Sequence, residues 1–427
     1  MSDVSNEHTV TAPEPMVQAP ELGASDIVIA VMGVTGSGKS TFVSQLCGED
    51  TAVVGYSLRS ETKMTCAYEF RRPGQGTIHI VDTPGFDDTF AADSEVLRDI
   101  AAFMTKTYQS SVKLAGIIYL HRITDNRVSG SALRNLRMFK ELCGQDAYKH
   151  VILVTSMWNK LHEADKASGP ERETQLVSDN GFWKDMYERG SVVKRYYADK
   201  TSADNIIDAL LTARNSDDNM TLQIQRELVD EHKELVTTSA GMEVNRELAE
   251  LQKRFEKEMQ TLIDDSRMAL AEGDIRLHEQ LQTQKRDFEE HRQRASEGQK
   301  ALQVSFEALL DQNAQKYRQE HERLLKEIEA TKDSYNELIE KGKSVKTENY
   351  RLRELIEENG VQALLTDSAR AELKEKLDKG EEIASKIEEQ VKEKVKKRKA
   401  LMKVLSGIAE FAVNLALTVV GVNSDED

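Results

Sequence analysis

The chain has 427 residues, 31% of them charged and 6% aromatic, with a net charge of −16 from 58 basic and 74 acidic side chains. The length exceeds one typical domain, and the scarcity of aromatics places the core-building residues in one part of the chain, with long solvated helices elsewhere. The acidic balance argues against a nucleic-acid partner. Cys47, Cys66 and Cys143 form no C-x-x-C pair, which disfavours zinc or a disulfide framework and fits a reducing, cytoplasmic setting, as does the lack of an apolar signal-peptide run.

Residues 1–24 are polar, contain Pro13, Pro15 and Pro20, and show no periodicity, so a disordered lead-in is expected. From 25 to 215 short apolar runs alternate with amphipathic stretches. Ile27–Met32 is a strand and Lys39–Cys47 a helix stopped by Gly48. Ala67–Phe70 and Thr77–Val81 are strands joined by a turn-rich connector, Arg71 to Gly76. Asp93 is a candidate cap for a helix running to about Tyr108. Ala115–Leu120 is a strand, Ser131–Cys143 a helix ended by Gly144, and Val151–Thr155 and Val193–Tyr197 the last strands. Strand and helix alternating in this way predict an α/β domain with a mostly parallel sheet covered on both faces. From 216 to 400 Glu, Lys, Gln, Arg, Leu and Ala dominate. Apolar residues such as Leu251, Phe255, Met259 and Leu262 recur at steps of three and four, the pattern of long amphipathic helices, in a self-packing bundle or a coiled coil. Gly241, Gly273, Gly298, Gly342, Gly360 and Gly380 are candidate breaks. Residues 401–422 form an apolar C-terminal helix before an acidic tail, 423–427.

Chemistry enters at Gly33-Val34-Thr35-Gly36-Ser37-Gly38-Lys39-Ser40, a G-x-x-x-x-G-K-S loop that follows a strand and opens a helix. Gly33, Gly36 and Gly38 let backbone N–H groups, with those of Thr35 and Ser37, curl around phosphate oxygens. The helix N-terminus adds positive potential. Lys39 reaches β- and γ-phosphates, Ser40 binds Mg²⁺, and Thr41 donates to the α-phosphate. Asp82-Thr83-Pro84-Gly85 ends a downstream strand, where Asp82 holds Mg²⁺ and Gly85 offers its N–H to a γ-phosphate.

From Ile27 to Trp158 the chain resembles the septin-like, AIG1-type P-loop GTPases, a group that includes immune-associated GTPases and those of plastid protein import, and it is most similar to a set of fungal proteins with this G domain. The resemblance is carried by Gly33–Thr41, Ser60-Glu61-Thr62, Asp82–Asp88, Ile118–Arg122 and Ser131–Phe139. It implies one antiparallel edge strand in the sheet, GTP/GDP and Mg²⁺ as ligands, and G domains that pair face to face. Thr62, between the P-loop helix and the next strand, is the candidate switch threonine for Mg²⁺ and γ-phosphate, with Ser60 and Thr65 as rivals. Thr201-Ser202-Ala203 resembles the last base-contacting loop of the family, which makes Ser202 a candidate. Asp125 to Val128 resembles the segment through which plastid-import GTPases place an arginine across a dimer. That makes Arg127 a candidate for catalysis in trans, with Arg122 and then His121 behind it.

Two positions depart from the pattern. Asn159 stands where guanine readers carry Asp, and its carboxamide accepts one of the two guanine hydrogen bonds but cannot accept the other; Trp158 beside it is a candidate to pack on the purine. Phe86 follows Gly85 where small GTPases carry a water-orienting Gln, so hydrolysis in cis is expected to be slow. The expected function is a GTP-binding switch whose slow hydrolysis is completed by G-domain dimerisation and whose tail relays nucleotide state to a partner, an oligomer or a membrane. A non-hydrolysing coiled-coil scaffold and an ATP-using protein are the alternatives. The expected partner is a second copy, through the G domain or the coiled coil. A basic run (Lys392, Lys394, Lys396, Lys397, Arg398, Lys399) precedes the apolar helix; packing of 401–422 against protein is the first expectation, and peripheral membrane contact through 392–422 with basic anchoring the second. Spanning is disfavoured because Glu410 at mid-bilayer costs at least about 2.5 kcal/mol.

Overall fold

The computed structural model describes residues 27–48, 64–72, 77–86, 90–125, 130–213, 220–357 and 366–421. A six-stranded sheet in the order β2-β3-β1-β4-β5-β6 organises the first half. Its strands are β1 (Ile27–Gly33), β2 (Cys66–Phe70), β3 (Ile78–Asp82), β4 (Lys113–Arg122), β5 (Val151–Ser156) and β6 (Val192–Arg195). All neighbours run parallel except β2, which pairs antiparallel with β3 in the register Cys66↔Asp82 to Phe70↔Ile78. The central strands are apolar on both faces because helices cover both: Val28 to Met32, Ile117, Ile118 and Val151 to Val154 are all buried. The helices are α1 (Lys39–Cys47), α2 (Phe90–Gln109), α3 (Gly130–Cys143), α4 (Ser168–Ser178), α5 (Lys184–Glu188) and α6 (Lys200–Ala213).

After the one-turn α7 (Gln223–Gln225), four long helices make two hairpins. The first joins α8 (Ser239–Ala271) to α9 (Ile275–Leu302). The helices run antiparallel, with Phe255 against Phe288 at 5.7 Å between ring centroids and Gln299 donating to Asn245 at 3.1 Å. The second joins α10 (Phe306–Glu357) to α11 (Asp367–Gly421), closed by Arg353–Glu381, Lys346–Glu388 and Lys397–Glu327 pairs. Both hairpins root on the sheet domain. Arg137 of α3 bonds Glu243 and Glu247 of α8 at 2.7 and 2.5 Å, while α11 touches β2 and buries Leu401 and Ile408 in the same apolar cluster as the sheet.

Several sequence expectations shift. Asp93 is not the cap of α2: the helix starts earlier, at Phe90, and Asp93 is buried in its first turn. Of the six glycines expected to break the tail, only Gly273 does so among the described residues, at φ +75° in the turn after α8; Gly360 lies outside them. Gly241, Gly298, Gly342 and Gly380 sit inside helices. Gly380 serves close approach, because a Cβ there would stand 1.9 Å from Asn349 Oδ1 across the hairpin. Among the described residues no helix is long and apolar enough to cross a membrane.

Candidate functional site

The phosphate loop is the sharp turn between β1 and α1, and Gly38 at φ +95° is the last residue before the helix. Lys39 is buried and lies back along the loop, donating from Nζ to the carbonyls of Gly33 and Val34 at 3.0 and 3.1 Å. Burial pushes its pKa down to about 8 despite the nearby Asp82 carboxylate, which raises it, with Arg122 lowering it further. An anion beside this ammonium favours the charged form and shifts the pKa back upward.

Asp82 ends β3 beside the loop, and Ser40 Oγ donates to its Oδ2 at 2.7 Å. Two hydroxyls of the loop, Thr35 Oγ1 and Ser37 Oγ, are buried with no hydrogen-bond partner. Buried polar atoms are seldom left so unless a ligand completes them. Together with the P-loop ammonium, the orphaned hydroxyls fit a phosphate, and the adjacent Ser40–Asp82 oxygens fit a hard cation.

The segment after Asp82 folds onto this loop. Val34 and Phe86 form a parallel bridge, and Thr35 N–H donates to Phe86 O at 2.9 Å. Gly85 lies so close that a Cβ would stand 2.6 Å from Thr35 Oγ1 and 2.7 Å from Lys39 Nζ, so glycine is a steric requirement there. Phe86 is fully buried, its ring in the core rather than over the loop.

Arg122, at the end of β4, extends over the same loop. Its Nη1 is 3.3 Å from where a Cβ on Gly36 would be, and Asp125 grips its Nε at 3.1–3.2 Å. His121 points the other way, edge-on to Trp183 at 5.9 Å, where burial depresses its pKa to about 4. Thr62 and Arg127 lie outside the described residues, whereas Thr65, the rival of Thr62, is buried at the start of β2. Thr65 N–H and Oγ1 donate to Asp99 of α2 at 2.7 and 2.5 Å, and its carbonyl accepts from Tyr317 of α10 at 2.7 Å. Thr65 is thereby engaged on every polar atom, away from the phosphate loop.

On the far side, Ser156 Oγ donates to Ser37 O at 2.8 Å and ties the end of β5 to the phosphate loop. Met157 adopts φ +64° and sets its methyl 3.5 Å from the Cβ position of Gly38. Trp158 is anchored by its Nε1, which donates to Thr155 O and Oγ1 at 3.1 and 3.0 Å, and one face is covered by Arg195 at 4.3 Å. Gly169 also lies against the ring, where a Cβ would stand 2.9 Å from Trp158 Cζ3. Asn159 is exposed. Ser202 Oγ accepts from Tyr197 N–H and donates to Asp199 O, which makes it a fastener of its own loop. Sequence reasoning missed Ser156, Met157 and Arg195. The first two occupy the slots before Trp158 where a base-reading motif was sought, and that position was the available signal. Arg195, on another strand, gave none.

This sheet, loop and carboxylate strand define a P-loop GTPase-type domain. Residues 28–156 match the model for "50S ribosome-binding GTPase". Among solved structures the chain is similar to Toc33 from Arabidopsis thaliana in complex with Mg²⁺ and GMPPNP, at 17% identity over 45% of this chain and 86% of that one, TM-score 0.37. It is also similar to Era from Aquifex aeolicus bound to GDP and AlF₄⁻, at 15% identity over 46% of this chain and 59% of that one, TM-score 0.33. A further similar structure, at 16% identity over 46% of this chain and 87% of that one with TM-score 0.37, comes from the chloroplast translocon components atToc33 and psToc159, for whose GTPase activity dimerization is important.

Proposed function

We propose that the chain is a GTP-binding switch that holds GTP or GDP with Mg²⁺ at the β1–α1 loop and hydrolyses GTP slowly. The observation that carries this reading is the pair of orphaned buried hydroxyls, Thr35 Oγ1 and Ser37 Oγ, beside a buried Lys39 and the Ser40–Asp82 contact. Lys39 and Thr41 bind phosphate, Ser40 and Asp82 hold the cation, and Gly85 reads the γ-phosphate through its N–H; Thr62 is assigned the partnering switch role. Ser40 and Asp82 would hold Mg²⁺, which when bound would offset the negative charge of the phosphates. Arg122, clamped by Asp125 over Gly36, supports a charge-stabilising role within the chain, and Arg127 is assigned the same role across a pair of G domains.

The contact between Tyr317 and Thr65 supports the tail as relay. Thr65 lies three residues beyond Thr62, so displacement of that stretch is felt directly by α10. A second reading, a nucleotide-bound scaffold without turnover, is favoured by Phe86: its side chain is buried and its carbonyl fixed to Thr35, so it orients no water.

Competition of GTP, XTP and ATP against a fluorescent GDP analogue tests the ligand, and single-turnover hydrolysis at rising protein concentration tests the chemistry. The switch reading expects GTP to compete at least tenfold better than ATP. It also expects a rate that rises with concentration and falls in Arg127→Ala and Arg122→Ala. Tight GTP binding with no turnover at any concentration leaves the scaffold. No binding of any nucleotide overturns both.

A further inference from the structure

The turn that closes the α8–α9 hairpin is stiff, yet it presents apolar side chains to water. Asp274 N–H donates to Ala269 O at 2.9 Å and Gly273 N–H to Leu270 O at 3.2 Å; the Asp274 carboxylate in turn caps α9 by accepting from Leu277 N–H at 2.9 Å. Behind the turn Ser266 is buried between His278, 2.9 Å from its hydroxyl, and Gln282, which donates to it at 3.1 Å. A turn so fully bonded does not rearrange to hide what it carries. It carries Met268, Leu270, Ile275 and Leu277, of which Ile275 is 64% exposed and Met268 and Leu270 57% each. Isolated exposed apolar residues need no explanation, but four in ten consecutive residues on a preformed tip mark a contact surface.

Charge selects the partner. The tip holds Asp264, Asp265, Glu272 and Asp274 against Arg267 and Arg276, so it is an apolar patch in an acidic rim. Anionic lipid is the wrong complement, and a basic surface with apolar residues of its own is the right one. The chain contains that surface. On α11 Lys392, Val395, Lys399 and Met402 recur at steps of three, four and three, which puts them on one face, flanked by Lys396. Val395 and Met402 are exposed there, in a stretch whose sole acid is Glu393.

The two surfaces of one molecule are held apart. The tip stands about 40 Å along α8 from its root on α3 at Glu243 and Glu247, whereas the basic face immediately precedes Leu401, which is packed into the sheet domain. They meet most simply between two molecules. We propose that the α8–α9 tip docks on the basic face of α11 of a second copy, and that the contact is made twice about a two-fold axis. Reciprocity matters because one tip alone buries less than the roughly 1,200 Å² of a stable interface, and two contacts double the area. This interface is separate from any pairing of nucleotide sites, and it rests on the fold rather than on the proposed nucleotide chemistry.

Sedimentation velocity of the full chain without nucleotide over a wide concentration range tests the proposal. The wild type is expected to dimerise. Ile275→Glu, Glu272→Lys and Lys399→Glu are each expected to raise the dimer Kd tenfold or more, and Glu272→Lys combined with Lys399→Glu is expected to restore it to within threefold. Unchanged far-UV circular dichroism shows that each variant folds, and Lys39→Ala, which disables the phosphate loop, is expected to leave this association intact. A monomer at every concentration overturns the proposal, and so does a dimer indifferent to the three single variants or one that the double exchange fails to rescue. Flotation with phosphatidylserine–phosphatidylcholine vesicles provides the rival outcome: vesicle binding lost in Ile275→Glu while association stays unchanged assigns the tip to a lipid surface instead.

Discussion

Replacing Tyr317 by Phe removes one oxygen and leaves everything else of the ring in place, which isolates the bond between tail and sheet. Tyr317 is fully buried on α10, and its hydroxyl donates to Thr65 O at 2.7 Å. Without that donor the Thr65 carbonyl stays buried with one partner fewer, so the cost is that of an unsatisfied acceptor, about 1–3 kcal/mol. The ring still fills its site, so no cavity is added; Tyr317→Ala adds one and is expected to cost about 3–5 kcal/mol. Urea denaturation of both variants measures the two losses. The relay adds a second requirement. Thr65 keeps its two bonds to Asp99, so loss of the Tyr317 anchor loosens, without releasing, the β2 end that lies three residues from Thr62 in sequence. Dissociation of a fluorescent GDP analogue should accelerate several-fold in Tyr317→Phe, although the substitution touches no group of the phosphate loop. A variant within about 0.5 kcal/mol of wild type, with an unchanged nucleotide off-rate, would refute both the energetic argument and the coupling.

Gly85→Ala forces a methyl against Thr35 and Lys39; GTP affinity measured by titration should drop at least tenfold, with GDP affected less. Ser40→Ala removes a donor to Asp82 and a candidate cation ligand, and the Mg²⁺ dependence of nucleotide affinity should flatten. His121 has a folded pKa near 4, below its ordinary value of about 6.5. The unfolded chain therefore binds more protons between those values, so the contribution is complete above about pH 6.5 and is lost as pH falls toward about 4, by roughly 3 kcal/mol in all. Stability followed against pH should lose that share of its slope in His121→Gln. Asp125→Ala releases Arg122; single-turnover hydrolysis should slow while GDP affinity holds.

The nucleotide site was legible because its chemistry is local. Gly33 to Ser40 is one contiguous turn, and Asp82 is fixed by the parallel register that sets Val31 opposite it. The alternation of strand and helix was legible for a similar reason, since burial on both faces writes continuous apolar runs. The tail was read as helical, but its seat was not. The bond from Tyr317 to Thr65 joins residues 252 apart, and no pattern of steps in either segment announces the other. The glycines misled for a physical reason: in a single helix Gly380 is a weak point, but across a hairpin it is the vacancy that admits Asn349. Around the base loop the sequence drew attention to Trp158 as a purine contact, whereas Arg195 from the neighbouring strand already occupies one of its faces.

The antiparallel strand β2 stands at the rim of the sheet, with α11 packed against it and Tyr317 of α10 bonded to Thr65 just before its start. Cys66, Ala67, Tyr68 and Phe70 are buried there, and Leu401 and Ile408 belong to the same cluster. A rim strand stripped of such a cover exposes unpaired backbone groups and apolar side chains at once, the template on which chains stack. The second hairpin is therefore a guard for solubility as well as an arm: a fragment ending before Phe306 should express as aggregate, and charged residues placed along β2 should return it to solution.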